Sequence, residues 1–287
     1  MKKILLAGIT GYLGSYVAKE LLNRSYFLRA IVRDAERLKK KSIQPTEFIE
    51  AELTQPETIK GCCKNIDVVI STVGITKQRD GLTYMDVDYQ ANLNLLNEAQ
   101  INGVDKFIYV SVLNGQRLRH LKICDAKEKF VEQLKRSGMD CCIIRPNGFF
   151  SDMEEIYSMA RKGRIYLFGN GEWKANPIHG KDLSVVCVDA IDNPVKEIDV
   201  GGPETLTHNE IALTAFDVLG VNPKISYIPY WVRTAILNMM KIFTGSKIYG
   251  PIEFFLTVMS MDMLAPEYGI FTLKNHFGKL KRMNTEK

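Results

Sequence analysis

The sequence predicts a doubly wound parallel α/β fold, on three observations. A short apolar run, Ile4-Leu5-Leu6-Ala7, leads into a turn with three glycines, Gly8-Ile9-Thr10-Gly11-Tyr12-Leu13-Gly14, and a helical pattern starts at Tyr12. Apolar runs then alternate with helical patterns as far as residue 145, with short connections, which is the rhythm of βαβ units. Residues 67–73 are nearly all apolar, as suits a central strand covered on both faces.

In chain order, residues 3–8 form the first strand and 12–24 the first helix. Residues 27–33 read as the second strand, closing on Val32-Arg33-Asp34, and 48–53 as a short third. Thr54-Gln55-Pro56-Glu57 is a capped helix start, with proline in the first turn and Glu three after Thr. The fourth strand is 67–73, a long helix covers 86–102, the fifth strand 106–112, another helix 125–137 and the sixth strand 140–145. Beyond Pro146 the pattern loosens. Residues 157–163 are helical, 165–168 a strand, and Gly169-Asn170-Gly171 a turn. Ile178-His179-Gly180-Lys181-Asp182 precedes a helix over 183–191, and Leu206-Thr207-His208-Asn209-Glu210 caps one that ends at Gly220. The expected domains are a nucleotide-binding domain over 1–150 and a smaller α/β lobe over 151–287, interleaved with it. Such a lobe would cover the C-terminal strand ends, where ligands of open α/β sheets bind.

Composition narrows the function classes. The chain has 287 residues, 46% apolar and 25% charged, ordinary values for a water-soluble globular protein with a sizeable core. Net charge is +5, spread along the chain apart from residues 37–41 and a basic tail over 274–282. Without aromatic–basic interleaving these runs read as solvated faces, not as nucleic-acid sites. The six cysteines (Cys62, Cys63, Cys124, Cys141, Cys142, Cys187) make no C-x-x-C pair, and vicinal thiols suit no disulfide framework. Reduced thiols and a cytoplasmic setting are expected. Lys2-Lys3 with the following apolar run is too short for a signal peptide and breaks at Gly8. No run approaches the roughly 18 apolar residues of a membrane span. No His/Cys/Asp cluster has metal-ligand spacing.

The glycine turn carries the chemistry. Positions without side chains let the backbone approach an anion, and the first helical N–H groups point at it with the positive end of the helix dipole. The spacing G-x-x-G-x-x-G differs from the common G-x-G-x-x-G fingerprint, but its place after the first strand points to a dinucleotide. Arg33 stands nineteen residues after Gly14, where an acid would accept from a ribose 2′-hydroxyl; an arginine suits a 2′-phosphate instead. NADPH is therefore the expected cofactor, ahead of NADH, with Arg37 and Lys39 assisting electrostatically. Ser71-Thr72-Val73-Gly74 ends the fourth strand with small and hydroxyl residues that can approach the ribose or pyrophosphate.

These residues, with Tyr109-Val110-Ser111, Ala126-Lys127, Ile144-Arg145-Pro146-Asn147-Gly148, Pro177-Ile178-His179, Asp182, Gly202-Pro203-Glu204 and Ala265-Pro266-Glu267-Tyr268-Gly269, make nearly the whole chain resemble an atypical, NmrA-like short-chain dehydrogenase/reductase. The resemblance implies a Rossmann-like sheet with a smaller C-terminal lobe. It also implies an NAD(P) site built from Gly8, Thr10, Gly11, Tyr12, Leu13, Gly14, Arg33, Ser71, Thr72, Val73, Gly74, Lys127, Pro146, Asn147, Gly148 and Phe149. The family's chemistry uses Ser, Tyr and Lys: the Tyr moves a proton, the Lys lowers its pKa and holds the nicotinamide ribose, and the Ser orients the carbonyl. Ser111 and Lys127 match two of these. Four residues before Lys127, where the Tyr belongs, stands Ile123, which cannot donate a proton. Some relatives lacking the Tyr reduce an activated double bond, and others only bind or sense the cofactor.

Two functions follow as expectations. One is an NADPH-dependent reductase of a small hydrophobic substrate, with Ser111 and Lys127 catalytic. The other is a non-catalytic NADP(H)-binding redox sensor or assembly factor. A sugar-nucleotide epimerase is weaker, since it also leans on the absent Tyr. Among substitute donors, Tyr84 and Tyr89 read as packing residues, Cys124 as a buried thiol, His120 as a solvated loop residue and His179 as structural. Phe149 and Phe150 could wall the nicotinamide ring or pack in the core. Residues 229–263 are apolar and Met-rich, with Trp231, Met239 and Met240 among them. They either pack on their own lobe or dock a protein partner or a membrane surface, which would make the protein membrane-peripheral.

Overall fold

The computed structural model describes residues 1–75, 81–243 and 246–285. The chain begins with β1 (Lys3–Ala7), α1 (Tyr12–Asn23), β2 (Phe27–Val32), α2 (Ala35–Lys39), β3 (Glu47–Glu50) and β4 (Val68–Ser71). A π-helical segment, Met85–Ala91, runs into α3 (Asn92–Ile101), followed by β5 (Lys106–Val110), α4 (Lys122–Arg136) and β6 (Asp140–Pro146). Then come α5 (Phe150–Arg161), β7 (Ile165–Phe168), β8 (Lys174–Ala175), α6 (Gly180–Asp189) and β9 (Glu197–Val200). The sheet runs β3-β2-β1-β4-β5-β6-β9, and the pairs around β1 are parallel. Strand order reverses between β1 and β4, so the switch-point crevice opens at Gly8 and Thr72. The expected Rossmann-like sheet is borne out.

Backbone clustering divides the chain into two units: Met1–Arg145 with Leu183–Ile198, and Pro146–Asp182 with Asp199–Lys287. The first unit's core lies under the parallel strands. Phe107, Tyr109 and Phe130 are fully buried there, with Tyr109 edge-on to Phe130 at 4.6 Å between centroids. Strands covered on both faces must be apolar throughout, which is why β4 and β5 were legible as runs.

Several elements differ from expectation. Thr54 caps nothing: a 3₁₀ turn over Pro56–Ile59 starts from Gln55, and no side chain caps it. Thr58 supplies the local bonds instead, its hydroxyl donating to the Glu52 carbonyl at 2.9 Å. Asp34, read as a strand end, is the N-cap of α2. The helix expected at 125–137 begins at Lys122, which places Ile123 and Cys124 inside it. The long helix over 86–102 opens with the π segment.

The second unit adds β10 (Leu206–Thr207), α7 (His208–Leu219), β11 (Ile225–Ile228), α8 (Tyr230–Phe243), α9 (Ser246–Val258) and α10 (Leu273–Thr285). As the sequence indicated, Thr207 and Glu210 form a capping box on α7, and Gly220 ends it in the left-handed conformation at φ 74°. Helices α5, α7 and α10 share a core containing Phe150, Ile156, Phe216 and Phe277. The stretch read as a basic tail is thus α10, anchored by the fully buried Phe277. Strand β11 pairs in parallel with β7, and β10 antiparallel with β8. Among the described residues no helix is long and apolar enough to cross a membrane.

Candidate functional site

Gly8 leaves β1 at φ +91°, a region that L side chains rarely adopt. The Gly11 N–H closes the turn on the Gly8 carbonyl at 2.9 Å. Gly11 is the N-cap of α1, with no side-chain cap bond and no acidic residue in the first turn. The helix start is therefore left for an external anion. A Cβ on Gly14 would lie 2.1 Å from the Gly8 carbonyl oxygen, so only glycine lets α1 come this close to the turn. Thr72 seals the other side, its hydroxyl and N–H both donating to the Ala7 carbonyl at 3.1 Å. Thr10 and Tyr12 are half-buried along this turn, and Leu13 anchors it in the core. This cradle, built to exclude side chains, fits a pyrophosphate.

Arg33 follows β2 with half its side chain exposed, its guanidinium 3.9 Å from Glu52. Asp34 beside it is occupied: its Oδ1 accepts from the Glu36 and Arg37 N–H groups, and Oδ2 lies 3.4 Å from the Arg37 guanidinium. Asp34, the carboxylate next to Arg33, thus serves as the cap of α2.

Deeper in the same unit is an ion pair. Asp88, fully buried, sits in the π segment with Oδ1 3.0 Å from Lys127 Nζ and Oδ2 accepting from the Ile75 N–H at 3.3 Å. Lys127 keeps 12% of its side chain exposed. Its ammonium also lies 5.5 Å from the centroid of the Tyr109 ring. A Cβ on Gly74 would meet Asp88 Oδ1 at 2.6 Å and Lys127 Nζ at 2.7 Å, so the backbone after β4 passes close beside the pair. Burial opposes charge on Lys127, but Tyr109 and Asp88 outweigh it and hold the ammonium above the ordinary lysine range. Burial pushes Asp88 up, against the pull of Lys127. The neighbouring ammonium and the Ile75 N–H both favour the anion, so we describe the pair as ammonium and carboxylate. Burial also pushes the Tyr109 phenol up to about 12, and its hydroxyl has no hydrogen-bond partner among the described residues.

Ser111 is bonded to a second, buried ion pair. Its hydroxyl donates to Glu128 Oε1 at 3.2 Å, and Glu128 in turn is gripped by both terminal nitrogens of Arg145, one at 2.9 Å from Oε2. All three are buried. The substrate-orienting role expected of Ser111 therefore has to compete with this bond. Ser71 is likewise spent, donating to Asn92 Oδ1 at 2.6 Å, and Val73 packs on the core. Ile123, in the place of the missing Tyr, is 5% exposed. Cys124 beside it is buried, and burial pushes its thiol up to about 12, which removes it as a nucleophile at neutral pH. Tyr84 is buried, Tyr89 packs against the core and His120 is exposed. Among the described residues no His/Cys/Asp/Glu group could hold a metal ion.

The remaining expected residues lie in or at the edge of the second unit. Pro146 is buried, and Asn147 donates to Asn176 Oδ1 at 2.7 Å and to the Met263 carbonyl. Its oxygen accepts from the Gly148 N–H at 2.7 Å, so the Asn147 amide is fully engaged within its own unit. Gly148 and Phe149 are half-buried. Phe150 is core, edge-on to His179 at 5.6 Å. His179 accepts from the Lys181 N–H at 3.0 Å, and burial pushes it down to about 4, as a structural histidine requires.

Asp88, Tyr109, Glu128 and Arg145 carry much of this geometry, yet sequence reading assigned none of them a role. Arg145 left a signal, a lone charge inside the apolar run 141–146 that had to find a buried partner. Asp88 left none, because on an α-helical register it reads as one more surface acid.

Known proteins bear out the expected group. The chain is 27% identical to the chloroplastic divinyl chlorophyllide a 8-vinyl-reductase of Zea mays, over 94% of this chain and 74% of that one. It is 24% identical to the photosystem II assembly factor Ycf39 of Synechocystis, over 84% and 74%. In structure it is similar to the Escherichia coli NADPH-dependent quinone oxidoreductase QOR2 complexed with NADPH, with a TM-score of 0.74 at 15% identity, covering 97% and 99% of the two chains. At that identity the likeness is one of fold. The NAD(P)H-binding family model matches residues 8–194, from the glycine turn through Lys127 to the segment before β9, and the chain belongs to that family.

Proposed function

We propose that this protein is an NADPH-dependent reductase of a small hydrophobic substrate that works without the usual active-site tyrosine. The observation that carries the reading is the Lys127 ammonium, held charged by Asp88 yet still partly exposed. The similarity to vinyl-reductases supports it. When bound, the cofactor supplies the hydride. The chain's own residues do the rest: Gly8, Gly11 and Gly14 shape the pyrophosphate turn, Arg33 meets the 2′-phosphate, and Lys127 holds the ribose. The same ammonium steadies negative charge that develops on the substrate, a task needing no side-chain phenol. Hydride addition to an activated carbon–carbon double bond leaves an enolate-like carbanion that the ammonium steadies and that takes its proton from water, so this reduction needs no donor at the Ile123 position.

Calorimetric titration with NADPH and NADH tests the cofactor assignment. Arg33→Ala is expected to weaken NADPH binding about 10- to 100-fold, the worth of a charge-assisted contact, and to leave NADH nearly unaffected. Equal losses for both nucleotides would remove Arg33 from the 2′-phosphate. An acceptor screen that follows NADPH absorbance tests the reductase itself, with Lys127→Ala as the control expected to be inactive. Failure of every activated alkene and quinone to consume NADPH would end this reading.

A second reading has its own observations. Ile123 is buried where the family's proton donor stands, and α8 exposes Trp231 (72%) and Met239 (56%) on one face, with Ala235 between them. No acidic residue occurs in α8. This suits an NADPH-binding assembly factor that docks through residues 229–263, in line with the similarity to Ycf39. The expectation on 244–245 lies outside the described residues. Co-sedimentation with anionic lipid vesicles, for wild type and Trp231→Ser/Met239→Ser, tests the membrane form. Equal recovery of both proteins in the supernatant would argue against it.

A further inference from the structure

We infer that the second unit carries a binding site of its own, for a small hydrocarbon carboxylate, in an open cavity of about 520 Å³ between the C-terminal ends of α5 and α7. The site is independent of the reductase reading, since every residue lining the cavity belongs to the second unit. Its apolar wall is Ala160 from α5, Phe216 and Leu219 from α7, and Val221 from the turn beyond. Ala160 and Phe216 are buried, and Val221 is 51% exposed. Arg161 and Lys224, both exposed, add two positive charges, and none of the lining residues is acidic. Such a volume, with an apolar wall and a few polar groups, is that of a small-molecule site.

Cations at helix ends have an ordinary use, which is to bond the last carbonyls and meet the negative end of the dipole. Here the carbonyls are already taken. At α5, those of Ser158, Met159 and Ala160 accept from the N–H groups of Lys162, Arg164 and Gly163 at 2.9–3.3 Å. At α7, those of Phe216 and Asp217 accept from the Gly220 N–H at 2.9 and 3.0 Å, and those of Val218 and Leu219 from Lys281 Nζ at 2.7 and 3.3 Å. Neither Arg161 nor Lys224 makes a side-chain hydrogen bond or an ion pair among the described residues. One turn before Arg161 and within its field, on the same face of α5, the Tyr157 hydroxyl is buried and also without a partner among the described residues. Donors thus collect here with no carboxylate to receive them.

The occupant that meets all of this has one anionic end and an apolar body. A guanidinium fork matches a carboxylate through two parallel bonds, and the ammonium adds attraction without a geometry of its own. The hydrocarbon body then covers Leu219 and Val221, which contributes in proportion to the apolar area removed from water. An inorganic anion would meet the charges and leave that wall wet. A cationic chain would cover the wall and leave the charges unmatched. At Gly163, at φ +93°, a Cβ would meet nothing within 4 Å, so the backbone there borders open space and not a packed neighbour.

Amide NMR titration of the full chain with sodium decanoate, kept below the concentration at which it forms micelles, tests the site without cofactor or substrate. The Gly163 and Asn222 amides are expected to shift to saturation, with a Kd of about 1 mM or tighter, the scale of a good ligand of this size. In Arg161→Gln/Lys224→Gln the affinity is expected to fall about ten-fold or more. Val221→Asp sets an acid on a position already half exposed, and is expected to do the same by pairing with the cations and repelling the carboxylate. Inorganic phosphate and decyltrimethylammonium are the controls, and neither should shift these amides at the same concentration. A response to phosphate equal to that of decanoate would show a site for charge alone, and one to the cationic chain a site for grease alone. Either overturns the inference, as does a wild type that never saturates or a decanoate affinity unchanged in both variants. NADPH titrated into the same proteins is expected to bind the double variant as it binds wild type, and a loss there would give the two cations to the dinucleotide instead. If decanoate binds as described while wild type takes no NADPH, the reductase reading fails and this site stands.

Discussion

Arg145→Ala is expected to cost about 3–5 kcal/mol of stability. Its guanidinium is 4% exposed and grips both oxygens of Glu128, itself 3% exposed, while Nε reaches Glu197 at 3.3 Å. Truncation leaves the Glu128 carboxylate buried with only the Ser111 hydroxyl for company. The remedy discriminates the cause. A Glu128→Leu/Arg145→Met double variant removes both charges and is expected to lose less than the single change, since the penalty lies in the stranded ion and not in the missing attraction. Urea unfolding followed by circular dichroism measures it. Both tryptophans, Trp173 and Trp231, belong to the second unit, so a fluorescence transition that stays put while the dichroism shifts would assign the damage to the first. A loss under about 1 kcal/mol, the worth of an exposed pair, would show that the network is not buried as described.

Gly14→Ala is expected to weaken NADPH about 30- to 100-fold, equivalent to 2–3 kcal/mol of strain at an overpacked contact. The new Cβ would sit 2.1 Å from the Gly8 carbonyl oxygen and 2.9 Å from Thr72 Oγ1. Neither can yield without cost, because the Gly8 carbonyl closes the turn on Gly11 and Thr72 is bonded to Ala7. Helix α1 must back away, and its N–H groups retreat from the anion they would bind. Gly278→Ala is the control: a Cβ there meets nothing within 4 Å, and both stability and affinity should hold. Full NADPH affinity in folded Gly14→Ala would place the pyrophosphate elsewhere.

The strands were legible because parallel strands covered on both faces must be apolar, and apolar runs show in a sequence. The first turn was legible because close approach of helix, turn and anion leaves only glycine. Ser111 and Asn147 illustrate the limit. Their positions were marked, but their hydroxyl and amide are engaged by Glu128 and by Asn176 and Met263, partners 17, 29 and 116 residues away.

Local rules, then, settle the fold class, the glycine turn and the cofactor family, since each depends on neighbours within a few residues or on a periodic pattern. Which charges meet is decided by the folded chain alone. Lys127 and Asp88 are far apart in sequence and are brought to 3.0 Å by a helical segment that departs from the α register. No periodicity announces that departure, because a π turn is held by tertiary bonds such as Asn92 to Ser71 and not by the propensities of its own residues.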